Sequence, residues 1–131
     1  MATDTRTFEM TDTGASRSRL ATVGLWILQI AAAAMFLMAG TLKVTGNPQM
    51  VQMFGVIGLG QWFRYVTGTI EVVGAILLLI PGAAVFGAVP LAATMAGAII
   101  AHLFVIGGNP AVPIVLLAIT STVAWARWRS R

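Results

Sequence analysis

The 131-residue chain has no cysteine, one histidine and four acidic residues, and between Leu20 and Ala126 only Lys43, Arg64 and Glu71 carry formal charge. Without cysteine, dithiol relays, iron–sulfur clusters and disulfide exchange are excluded within the chain. With His102 as its one imidazole, neither a bis-histidine haem nor a histidine-rich metal site can be built, so no metal is expected. Charge is scarce too: 9% of residues are charged and 58% are hydrophobic, against about 25% charged in a soluble domain. The mean hydropathy is +0.89. These values describe an integral membrane protein whose first partner is the lipid bilayer. The pI near 11.3 does not point to nucleic acid, because six of the eight basic residues lie in the two tails. There they act as orientation signals and contacts to anionic lipid.

Residues 1–19 are polar, rich in threonine and serine, and lack hydrophobic periodicity; they are expected to form a disordered tail. Leu20–Leu42 is uncharged over 23 residues, ~34 Å as a helix and enough to cross a bilayer. Asn47-Pro48 has the form of a helix cap and first helical residue. Met50, Met53, Phe54 and Ile57 then share one helical face, which predicts a short interfacial helix between the first two spans. Further spans are expected at about 62–80, 85–104 and 110–126, with Pro81-Gly82 and Gly107–Pro110 as tight connections and 127–131 as a basic tail. The fold class is therefore an all-α, four-transmembrane-helix bundle over residues 20–126. The tails hold six Lys or Arg against two on the other side, which places both termini in the cytoplasm of a multi-pass plasma-membrane protein.

Glu71 lies seven residues after Arg64, about 10 Å into the second span at the helical rise. An unpaired carboxylate facing lipid costs roughly 2.5–3.5 kcal/mol on insertion scales. The stripe Arg64, Gly68, Glu71, Gly74, Ala75 and Leu78 has small residues around the acid, so this face is expected to turn inward. Topology brings Lys43, at the outward end of the first span, and His102, at the outward end of the third, to the same level. Lys43, Arg64, Glu71 and His102 thus form a candidate intramembrane polar cluster, with Asn47 and Asn109 as lining residues. Two explanations stay open: a functional site, or a salt bridge that sets helix register.

Three stretches, FLMAGTLKVTG (36–46), FRYVTGTIEVVGAILLLIPG (63–82) and HLFVIGGNP (102–110), carry Gly-x-x-Lys at the end of one helix, Glu-x-x-Gly-Ala within the next, and a late histidine in the third. In that order of features, across residues ~22–127, the chain resembles the DoxX-like family of small four-helix membrane proteins. By position, the family-like residues are Gly40, Lys43, Arg64, Glu71, Gly74 and His102. The resemblance implies membership of a membrane complex; some branches of the family are tied to thiosulfate:quinone oxidoreduction or oxidative stress, and animal relatives act as assembly chaperones.

Three functions follow as expectations. The first is a non-catalytic subunit, scaffold or assembly factor with a membrane or peripheral protein partner. The second is a quinone-binding membrane subunit of an oxidoreductase, where quinone or partner supplies the redox chemistry. The third is a small proton-coupled transporter, which the basic neighbours of Glu71 disfavour for cationic substrates. Homo-oligomers are compatible with the glycine-rich helix faces.

Overall fold

The computed structural model describes residues 2–130, and their side chains from Ser18 onward. Five α-helices follow in order: α1 (Ala2–Thr45), α2 (Pro48–Ile57), α3 (Gln61–Leu78), α4 (Ala84–Ala101) and α5 (Ala111–Arg129), with a π-helical turn at His102–Ile106 after α4. No strand occurs among the described residues. Three stretches are long and apolar enough to cross a membrane: Ser18–Thr45, Ala84–Ile106 and Ala111–Arg129. Shorter, and carrying Arg64 and Glu71, α3 stands apart from these three.

The helices close into a ring. α1 packs along α3, α3 against α4, α4 against α5, and α5 returns to α1, while α2 lies across α3 and the π-helical turn. Two glycine faces set the spacing around α3. A Cβ on Gly87 of α4 would stand 2.5 Å from the Gly74 carbonyl oxygen of α3, so a larger residue would push the two backbones apart. Phe36, Ala75, Leu78, Ala88, Leu91 and Val123 fill the interior. The outside is apolar as well, with Ile27, Val73, Ile100 and Phe104 exposed, as suits a surface solvated by lipid.

Local signals explain the short elements. Asn47 Oδ1 accepts from Gln49 N–H (3.0 Å) and Pro48 opens α2. Gly58 closes it in the left-handed conformation (φ 82°) and its N–H returns to the Phe54 carbonyl, a geometry glycine adopts without a Cβ penalty.

Three boundaries differ from those expected. Helix α1 continues back to Ala2 where a tail over 1–19 is expected; the side chains before Ser18 lie outside the described residues. Arg127 and Arg129 belong to the last turn of α5, where their charge meets the negative end of the helix dipole. The span expected at 85–104 finishes in a π-helical turn beginning at His102 and reaching Ile106.

Candidate functional site

The stripe read on α3 is the face it buries: Arg64, Gly68, Glu71, Gly74, Ala75 and Leu78 are its buried residues. Gly68 lets the end of α1 come close, and Lys43 Nζ donates to Glu71 Oε2 at 3.0 Å. Glu71 is 1% exposed and Lys43 13%. A carboxylate so deeply placed requires its counter-charge, and the lysine reaches it with two N–H donors still unspent.

Arg64 is buried beside this pair but serves another purpose. Its Nη1 donates to the Lys43 carbonyl, one of the last carbonyls of α1, and its Nε donates to Gln61 Oε1 (2.8 Å). Gln61 in turn donates from Nε2 to the Val51 carbonyl of α2 (3.1 Å). The guanidinium also sits 4.3 Å over the Tyr65 ring. Arg64 and Gln61 therefore stitch together the end of α1, the start of α3 and α2. Arg64 does not meet Glu71; its guanidinium goes to the C-terminal end of α1, where the last carbonyls and the negative end of the helix dipole draw a cation.

Lys43, Glu71 and His102 are brought together in the wall of one cavity of about 740 Å³. α1, α3, α4, the π-helical turn and α5 all contribute to it, and Met50, Met53, Phe54 and Ile57 of α2 cover one side. These four apolar residues of the short helix thus share the face that roofs this space. Nearly all of the remaining lining is apolar, with Thr67, Thr94 and Asn109 as polar exceptions. His102 Nδ1 lies 2.8 Å from the Ala98 carbonyl. Asn109 belongs to the cavity wall and accepts from Ala111 N–H (3.0 Å). Asn47 is the cap of α2 and does not line the cavity.

A second polar cluster lies at the opposite end of α3. Gln29, fully buried, donates from Nε2 to the Leu78 carbonyl (2.7 Å) and accepts from Arg127 Nε at Oε1 (2.7 Å). Arg127 also lies 5.2 Å over the Trp26 ring. Sequence reasoning places Arg127 in a tail and so misses this contact between residues 98 positions apart. The available signal was Gln29 itself, a polar residue within an apolar span.

The model of a known family, described as the DoxX-like family, matches residues 27–123. The chain belongs to the DoxX-like family. The Bacillus subtilis (strain 168) protein named "Putative oxidoreductase CatD" is 33% identical to it over 78 residues. That match covers 60% of this chain and 58% of the relative, so the chain accounts for just over half the relative's length. No solved structure matches this DoxX-like chain.

Proposed function

We propose that this DoxX-like protein is a quinone-binding membrane subunit of a redox complex. The observation that carries this reading is the cavity of about 740 Å³, apolar throughout except where Lys43, Glu71, His102 and a few uncharged polar groups enter its wall. Cavities of ~300–1,000 Å³, largely apolar with a few placed polar groups, are typical of small-molecule sites. The donor set fits a quinone head group: Lys43 offers N–H groups to an oxygen, the Glu71 carboxylate stands beside it, and His102 adds a second exchangeable position. Bound there, a quinone would supply two-electron chemistry that a chain with no cysteine and one histidine lacks. Lys43 and Glu71 would orient the head group and hold a proton near its oxygen, and the apolar wall would exclude water. A protein partner must deliver the electrons, in line with the name of the Bacillus subtilis relative. A scaffold without ligand leaves the cavity and its buried ion pair unused.

In the proposed topology α3 crosses the bilayer as a fourth span. It lies against α1 from Gly40–Gly68 at one end to Gln29–Leu78 at the other, which supports an equal depth for both helices. α2 then rests at the outer interface, and both chain ends face the cytoplasm across the plasma membrane.

The test is to purify the protein from its own membranes in mild detergent, extract it with organic solvent and identify bound lipophiles by mass spectrometry. A stoichiometric quinone is expected, and Met53→Trp, which fills the cavity, should lose it while remaining folded. Absence of quinone, with equal retention of added quinone by both proteins, overturns the proposal.

A further inference from the structure

We infer that the cavity selects the reduced, phenolic form of a quinone-type ligand, and that His102 accepts the ligand's hydroxyl proton in a hydrogen bond. The inference rests on the ligand reading above and concerns which redox form the wall is built to hold.

The hydrogen-bonding inventory of the wall leads to it. The Thr67 hydroxyl donates to the Phe63 carbonyl (2.8 Å) and the Thr94 hydroxyl to the Pro90 carbonyl (2.8 Å). Each threonine has thereby spent its one proton on its own helix and keeps only acceptor lone pairs. His102 Nδ1 stands 2.8 Å from the Ala98 carbonyl oxygen. A carbonyl has no proton to give, so Nδ1 must carry the hydrogen. In the neutral ring this leaves Nε2 as a lone-pair acceptor. Glu71 is a further acceptor. Lys43 keeps free N–H groups after its bond to Glu71, and the Asn109 amide is the other donor in the wall.

The wall therefore accepts more readily than it donates. A quinone has two carbonyl oxygens and no hydroxyl proton, so it can satisfy the donors but none of the acceptors. A hydroquinone offers two O–H donors while each oxygen still accepts. In an apolar cavity, buried acceptors left without a donor are costly. One hydroxyl donates to His102 Nε2, and the other oxygen accepts from Lys43 Nζ.

The backbone at His102 supports a special role. His102 is where α4 gives way to a π-helical turn, closed by Gly107 N–H donating to the His102 carbonyl (3.0 Å). Such turns interrupt the ordinary helical register and recur at functional positions. The Ala98 carbonyl accepts from the His102 backbone N–H as well as lying against Nδ1, so main chain and ring are held by the same oxygen.

Two measurements test the inference. Because the chain has one histidine, ¹⁵N-histidine labelling gives a single ring to observe by NMR in micelles. Nδ1 should be the protonated nitrogen and Nε2 the bare one, and adding 2,3,5-trimethylhydroquinone under argon should shift Nε2. A proton on Nε2 in the neutral ring overturns the inference without any mutation. In parallel, equilibrium dialysis against empty micelles compares that hydroquinone, its dimethyl ether and the parent quinone. The hydroquinone should bind about tenfold more tightly than the other two, the equivalent of one buried hydrogen bond. His102→Phe should remove that preference, so that the hydroquinone and its ether bind this variant alike. Equal binding of all three by the unmodified protein overturns the redox-form preference while the cavity reading stands. Binding of none overturns both.

Discussion

Gly40 and Gly68 face each other across α1 and α3 so closely that a Cβ on Gly40 would stand 2.8 Å from the Gly68 carbonyl oxygen. One turn further along each helix, this approach is what allows Lys43 to reach Glu71. Helix association in lipid relies on such close packing, because apolar side chains gain little by leaving one apolar medium for another. The small residues thus hold in place an ion pair in which they take no part themselves.

Gly68→Ala should therefore disturb both packing and the ion pair. The added carbon would lie 2.9 Å from Lys43 Cβ, 2.9 Å from Val44 Cγ2 and 3.0 Å from the Gly40 carbonyl, and backbone cannot yield as a flexible side chain does. Overpacking of this kind costs about 1–3 kcal/mol. Gly24→Ala, on α1 with nothing within 4 Å, should cost nothing. Denaturant unfolding in detergent, followed by helical circular dichroism, compares the two; equal stability would separate the site from this helix contact.

Breaking the Lys43–Glu71 pair from either side should be worse than removing it whole. Lys43→Met leaves a carboxylate that is 1% exposed without a counter-charge, and Glu71→Gln leaves the ammonium alone. Loss of one partner of a buried pair costs about 3–5 kcal/mol, whereas replacement of both is often near neutral. The double variant Lys43→Met with Glu71→Leu should accordingly be more stable than Lys43→Met alone in the same unfolding assay. A double variant whose loss equals the sum of two large single losses would mean that the two charges act independently.

Much of this geometry was legible because membrane helices impose simple penalties. An acid flanked by glycines at helical spacing must face protein, and α3 buries those same six residues. The apolar face of Met50, Met53, Phe54 and Ile57 likewise needed a cover, and it roofs the cavity. Hydrophobic patterning carries no such information about where a long cation ends. Arg64 shares the buried face, yet its guanidinium turns to the Lys43 carbonyl at the end of α1 rather than to Glu71. Arg127 reads as tail by charge, but its aliphatic stem lets the head reach back to Gln29, as long cationic side chains do at membrane interfaces. The π-helical turn at His102 has no local signal beyond the glycines that follow it.

Gln29 should act as the lock at the end of the bundle where α3 finishes. The Leu78 carbonyl is one of the last of α3, with no partner further along its own helix, and Gln29 Nε2 supplies that partner at 2.7 Å. Gln29→Leu removes this donor and strips Arg127 Nε of its acceptor together, for a loss of about 1–3 kcal/mol. Arg127→Met should cost less, since Gln29 keeps its bond to Leu78. Combined in one chain, the two changes should lose less than their sum, because they break the same contact between α1 and α5. Additive losses in the unfolding midpoints would show that the three groups do not act as a unit.

The absence of natural cysteine makes the proposed topology directly measurable. Single cysteines introduced at Ser18, Gln52 and Ser130 report the start of the first span, the roof helix α2 and the end of α5. With four spans, a membrane-impermeant maleimide applied to intact cells should label Gln52→Cys and leave Ser18→Cys and Ser130→Cys unlabelled until the membrane is permeabilised. If α3 only dips into the bilayer, the chain crosses three times and its two ends fall on opposite sides. Ser18→Cys or Ser130→Cys would then be labelled from outside. The distinction bears on the site as well, because a crossing α3 holds Glu71 at bilayer depth, where Lys43 is its necessary partner.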